Sequence, residues 1–152
     1  MRIAVASDHV GLSLKPQILD VLSALGVDAI DLGPNSPEQI DFPDFAERVG
    51  RAIQNGQADR GILICGSGVG MSIAANKMAD IRAAVTHDTY SAHQGVEHDN
   101  MNVMCLGSRI IGPALAAELV HAFATANFDG DARFVRRLDK IDALALKART
   151  EP

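Results

Sequence analysis

The residues best suited to chemistry form one short run, Cys65, Gly66, Ser67, Gly68, Val69 and Gly70. Alternating glycines let successive N–H groups turn into one concavity ahead of a helix, and such a concavity suits an anion. Cys65 faces the same donors, which together with a helix N-terminus favour a thiolate, and a thiolate there can act as a base. The spacing also rules out three familiar loops. A dinucleotide fingerprint reads G-x-G-x-x-G after a first strand, whereas this run reads G-x-G-x-G after a third. A hydrolase elbow reads G-x-S-x-G, but the residue two before Ser67 is Cys65. A phosphate-cleaving thiol loop of the C-x5-R type needs arginine where Met71 stands.

Other candidates surround this run. Asp8 and His9 follow the first apolar stretch, with Val10 and Gly11 after them. His98 is flanked by Asp99 and Asn100, which lifts it above a packing histidine; His87, His93 and His121 read as solvent-facing or packing residues. His93 and His98 are five apart, about 140° around a helix, where metal ligands would share a face at i and i+4. No metal and no cofactor is expected. Arg133, Arg137 and Lys140 recur at i, i+4 and i+7 on one basic helical face, and Arg109 follows the last strand, so these are candidates for holding phosphate. Cys105 reads as a buried, inert thiol.

The elements that must position these residues form an alternating pattern. Runs at 2–7, 27–32, 60–65, 81–86 and 102–106 are continuously apolar, as in strands buried on both faces. Helical periodicity fills the intervals: Ile18, Leu19, Leu22 and Leu25 before Gly26; Phe45, Val49 and Ile53 after Pro43; a third helix near Met71; a fourth from Asp88. A fifth, at 113–127, is apolar around most of its circumference, which implies that one surface is buried in another subunit. The last, at 132–147, is expected to pack through Phe134, Leu138, Ile141 and Ala145. The class is therefore α/β, a single-domain three-layer Rossmann-like fold with a five-stranded parallel sheet covered by helices on both faces. Residues 1–147 form the domain and 148–152 a polar tail. In such sheets ligands collect beyond the carboxyl ends of the strands, where Asp8 and Cys65 stand.

Composition narrows the function classes. A length of 152 residues, 47% hydrophobic and 22% charged, describes one globular domain and not a disordered chain. A net charge of −5, with no Trp and one Tyr, argues against nucleic acid, which needs a basic surface and stacking aromatics. The longest apolar stretch is broken by Glu118 and His121, so no membrane span is expected. Asp8 comes too early for a signal peptide, and two cysteines make no disulfide framework, so the expected compartment is the cytoplasm.

Taken together, three segments resemble the type B ribose-5-phosphate isomerases, a family that includes galactose- and allose-6-phosphate isomerases. They are Asp8, His9, Val10, Gly11; then Ile64 through Gly70 followed by Ile73, Ala74, Ala75, Asn76, Lys77; and Asn102, Val103 with Gly107, Ser108, Arg109. The resemblance covers nearly the whole chain. It implies a metal-free aldose-ketose isomerisation through a cis-enediolate, in a homodimer, or a higher oligomer built from it, whose active sites are shared between subunits. By the same resemblance Cys65 is the base between C1 and C2, and His98 the acid that opens the furanose ring. Gly66, Ser67, Gly68, Val69 and Gly70 form the anion hole, Asp8 and His9 contact substrate, and Arg109, Arg133 and Arg137 hold the phosphate. Asp99 departs from the pattern, because relatives often carry Asn there, and a carboxylate accepts but does not donate hydrogen bonds. The substrate is thus ribose 5-phosphate, with six-carbon or four-carbon sugar phosphates as alternatives. A non-catalytic sugar-phosphate sensor needs neither thiolate nor acid, and a flavodoxin-like nucleotide module needs aromatics the chain lacks.

Overall fold

The computed structural model describes residues 1–150, with side chains as far as Lys147. Five strands, β1 (Arg2–Ser7), β2 (Asp28–Asp31), β3 (Arg60–Cys65), β4 (Ala83–Val85) and β5 (Val103–Gly107), form one parallel sheet in the order β2-β1-β3-β5-β4. Six α-helices connect and follow them: α1 (Lys15–Ala24), α2 (Phe42–Gln54), α3 (Val69–Ala75), α4 (Thr89–Asp99), α5 (Pro113–Thr125) and α6 (Ala132–Thr150). This is the expected α/β architecture. Of the tail set off at 148–152, the backbone of the first three residues continues α6, and 151–152 lie outside the described residues.

Continuous apolar runs arise because successive side chains of each strand enter different layers. Ile3, Val5, Ile62, Ile64, Met104 and Leu106 pack with α1, α4 and α5. Ala4, Ala6, Leu63, Cys65, Val103 and Cys105 pack with α2 and α3. The two edge strands are shorter than the apolar runs at 27–32 and 81–86. At the start of the second run, the Arg82 N–H leaves the ladder and donates to Asn102 Oδ1 at 2.8 Å.

From β1 the chain moves to one side to form β2, then crosses back to form β3 on the other. That reversal opens a crevice beyond the carboxyl ends of β1 and β3, where ligands settle in open α/β sheets. Asp8 and Cys65 are at this crevice.

Two helices behave differently from the sequence expectation. The large apolar residues of α5, Leu119, Val120 and Phe123, are fully buried within the chain, whereas Ala114 is exposed and Leu115, Ala117 and Ala122 are half-buried. It is flanked by both α1 and α4, which bury its larger side chains. Its last turn is tied to β3 by Arg60, whose guanidinium donates to Phe123 O at 2.5 Å and Ala126 O at 2.7 Å. Exposed apolar residues also lie along α6, at Val135, Ile141 and Leu144. Phe134 is buried and Leu138 partly so, but Ile141 and Ala145 are exposed rather than packed in the core. Beyond Leu138 an open groove of about 370 Å³ lies between Ile141 and Ala145 of α6 and Met78, Ile81 and Met101. Among the described residues no helix is long and apolar enough to cross a membrane.

Candidate active site

Cys65 is the last residue of β3 and is almost fully buried. The chain turns immediately above it, and the Gly68 N–H donates to Cys65 Sγ at 3.0 Å. Gly68 makes this turn at φ +80°, a conformation that L side chains rarely adopt, and it opens α3. The N–H groups of Gly70 and Met71, in the first turn of α3, have no carbonyl of their own helix to bond. Ser67 is exposed, and its Oγ accepts from the Val69 N–H at 3.3 Å.

Three strand ends brace this loop. After β1, the Asp8 carboxylate turns the chain by accepting from Val10 N at 2.9 Å and Gly11 N at 2.8 Å, which presents His9 at the crevice. His9 Nδ1 is buried and has no partner among the described residues, nor do Ser7 Oγ and Thr86 Oγ1. After β5, the Ser108 N–H donates to Cys65 O at 2.8 Å and the Arg109 N–H to Gly66 O at 3.1 Å. Ser108 Oγ reaches Val10 O at 3.1 Å and Cys65 O at 3.2 Å, so one hydroxyl joins all three ends. A Cβ on Gly107 would lie 2.8 Å from Ser67 Cα; only glycine lets the two backbones approach so closely. The exposed Arg109 side chain lies across Gly66. Cys105, on the same sheet face, is held as a neutral thiol by burial and, to a lesser degree, by the neighbouring Cys65. It is the inert cysteine.

His87, set aside in the sequence as a packing residue, has a specific task. Its Nε2 accepts from the Gly107 N–H at 2.9 Å, which requires that nitrogen to be unprotonated. Burial lowers its pKa from the ordinary 6.5. The unfolded chain therefore takes up this proton at higher pH than the folded one. The stabilisation from neutral His87 is complete above about pH 6.5 and is lost as pH falls through the lower folded-state value. Urea unfolding should show stability declining on acidification below about pH 6.5, with His87→Gln, which keeps an acceptor without the titration, flattening that decline. An unchanged slope in the glutamine variant would remove His87 from this role.

The second group of candidates lies elsewhere. His98 is at the end of α4, which runs from the carboxyl end of β4 back to the amino end of β5. There, Arg82 Nε donates to Asn100 O at 2.7 Å and the Gly61 N–H to Asn102 O at 2.8 Å, which fixes this segment at the amino-terminal edge of the sheet. Within one chain His98 is thus separated from Cys65 by the length of a strand, roughly 15 Å for five residues. The His98 ring stacks on Phe134 with centroids 4.2 Å apart and planes at 15°. The guanidinium groups of Arg133 and Arg137 lie 4.6 and 5.8 Å from the Phe134 ring centre. Gln94 Nε2 is 2.9 Å from His98 Nδ1. Asp99 is exposed at the last residue of α4 and lines the groove under α6. The structure therefore gathers Asp8, His9, residues 65–70 and Arg109 at one edge of the sheet, and His98, Asp99, Arg133 and Arg137 at the other.

The sequence reading missed Ser108's bridging hydroxyl, His87, Gln94 and Phe134. Of these Gln94 carried a legible signal, since it stands one helical turn before His98.

Known proteins are similar in sequence and share this fold. Residues 3–141 match the family model described as Ribose/Galactose Isomerase. The chain is 45% identical to the ribose-5-phosphate isomerase B of Escherichia coli over 143 residues, 94% of this chain and 95% of the relative. It is 42% identical to the D-erythrulose-4-phosphate isomerase of Pectobacterium atrosepticum, covering 86% of each. Among solved structures, ribose-5-phosphate isomerase B of Clostridium thermocellum superposes with a TM-score of 0.93 at 42% identity, covering 97% of this chain and 99% of that one. The Mycoplasma genitalium enzyme with bound ribulose-5-phosphate superposes with a TM-score of 0.88 at 40% identity, covering 99% and 97%.

Proposed function

Because the chain belongs to the ribose/galactose isomerase family, we propose that it interconverts ribose 5-phosphate and ribulose 5-phosphate through a cis-enediolate, with residues 1–147 acting as one isomerase domain. The observation that carries this reading is the Gly68 N–H aimed at Cys65 Sγ inside a glycine loop. A thiolate at that position takes the proton from C2 of the open-chain aldose and returns it to C1. The electron pair left on C2 forms the enediolate, whose charge the N–H groups of the loop stabilise, and the O2 hydroxyl proton passes to O1 so that the carbonyl ends on C2 when C1 is protonated. Asp8 and His9 contact the sugar hydroxyls, and Ser67, within the anion hole, acts with Cys65 and His98 as a catalytic residue. Arg109, Arg133 and Arg137 hold the phosphate, and His98 opens the furanose ring.

These roles require both groups of residues at one sugar. The separation of His98 from Cys65 within a chain is the support for a homodimer in which one subunit provides Asp8, His9, Cys65, the loop and Arg109, while its partner provides His98, Asp99, Arg133 and Arg137. Exposed Val69, Ile73, Tyr90 and Ile110 flank the first group, and Val135, Ile141 and Leu144 extend along α6 beside the second, so each has apolar surface to bury. The reaction so described is a step of the pentose phosphate pathway in the cytoplasm.

The test is a panel of ribose 5-phosphate, allose 6-phosphate, galactose 6-phosphate and erythrose 4-phosphate, scored for ketose formation. The highest kcat/KM is expected for ribose 5-phosphate. A preference for a six- or four-carbon sugar would replace the substrate, and no ketose from any of the four would overturn the isomerase reading in favour of a sensor.

A further inference from the structure

His98 is held from two directions. Phe134 stacks on its face, which fixes the plane of the ring. Gln94, one turn earlier on α4, meets Nδ1 at 2.9 Å, which fixes the edge. We propose that Gln94 is a positioning residue for His98: its amide engages Nδ1 and leaves Nε2 as the nitrogen that exchanges protons with the sugar. The inference rests on the reading of His98 as the ring-opening acid.

An amide suits this position because it carries both a donor and an acceptor. Its NH2 donates to a bare Nδ1, as the two groups are placed in the structure. After a half-turn about the last side-chain torsion, Oε1 accepts from Nδ1–H instead, so the contact survives when the imidazole gains a proton. With Nδ1–H on Oε1, the imidazolium passes its Nε2 proton to the ring oxygen as the C1–O4 bond breaks. The bare Nε2 then takes the proton of the anomeric hydroxyl as the carbonyl forms. The histidine ends as it began, and its orientation is kept throughout. A carboxylate at residue 94 would only accept, and a thioether would do neither.

Gln94→Met and Gln94→Glu separate these possibilities, with the intact protein labelled with 15N-histidine. Long-range 1H–15N correlation, with the His98 signals identified by their loss in His98→Asn, reports which ring nitrogen carries the proton in the neutral state. Nε2–H is expected in the wild type, a mixture of tautomers in Gln94→Met, and Nδ1–H in Gln94→Glu. In turnover, Gln94→Met should lose about five- to tenfold in kcat on ribose 5-phosphate, the effect of one ordinary hydrogen bond, with KM unchanged because the arginines are untouched. Gln94→Glu, which still holds Nδ1–H, should recover most of that loss. Wild-type tautomers and kcat in Gln94→Met would overturn the proposal, and so would an equal loss on a four-carbon substrate that needs no ring opening. If ribose 5-phosphate is no substrate at all, the substrate panel exposes that failure, while the tautomer measurement still decides the role of Gln94.

Discussion

Replacing Cys65 with alanine is expected to abolish deuterium exchange at C2 of ribose 5-phosphate while sugar-phosphate binding persists. The base acts on a C–H bond, and the phosphate is held by arginines, so the two functions separate. General-base catalysis is worth about 10²- to 10⁴-fold, and the neighbouring Asp8 carboxylate is already engaged by the Val10 and Gly11 N–H groups. Cys105 is the other thiol, but burial keeps it protonated and it lies below the loop, on the interior of the sheet. Loss of fold is not the expected cause, because removing one sulfur from a packed layer costs on the order of 1 kcal/mol. Exchange is read by mass spectrometry of the recovered sugar, and binding by titration calorimetry with ribose 5-phosphate. An alanine variant that exchanges at the wild-type rate would remove Cys65 from the mechanism.

His98→Asn should slow turnover of ribose 5-phosphate by a comparable factor and spare a four-carbon substrate. Ribose 5-phosphate in water is mostly a furanose, so the ring oxygen must gain a proton, and the anomeric hydroxyl lose one, before Cys65 meets a C–H bond beside a free carbonyl. Imidazole suits both tasks, because one ring nitrogen can give a proton and, once bare, take one back. Erythrose 4-phosphate carries its phosphate on O4 and cannot close to a furanose, so it bypasses this step. The informative quantity is the ratio of kcat/KM values for the two substrates in variant and wild type, which cancels general damage to the fold. Loss by the same factor on both substrates would withdraw the ring-opening role.

The sequence was most informative where chemistry and backbone geometry share the same residues. Glycines at 66, 68 and 70 after a strand-end cysteine announce both a turn and an anion site, and the structure places the Gly68 N–H on that sulfur. The parallel sheet was legible because its strands are apolar on both faces. What the sequence does not display is distance. His98 and Cys65 are each near the end of an element, and only the direction of α4 reveals that those ends lie on opposite edges of the sheet. Phe134 reads as an ordinary core residue on α6, yet it is the surface against which His98 stacks. Ile141 and Ala145 follow the same periodicity and are exposed, because amphipathic spacing records that a face is to be covered without recording by what.

A site assembled from two chains is tested most directly by mixing two inactive proteins. In a heterodimer of Cys65→Ala and His98→Asn subunits, one site carries both lesions and the other carries neither. Co-expression, followed by purification of doubly tagged dimers, isolates that species. It should regain about half of the wild-type activity per dimer, one intact site of two. If each site were built within a single chain, every site would carry one lesion, and the heterodimer would be as inactive as its parents.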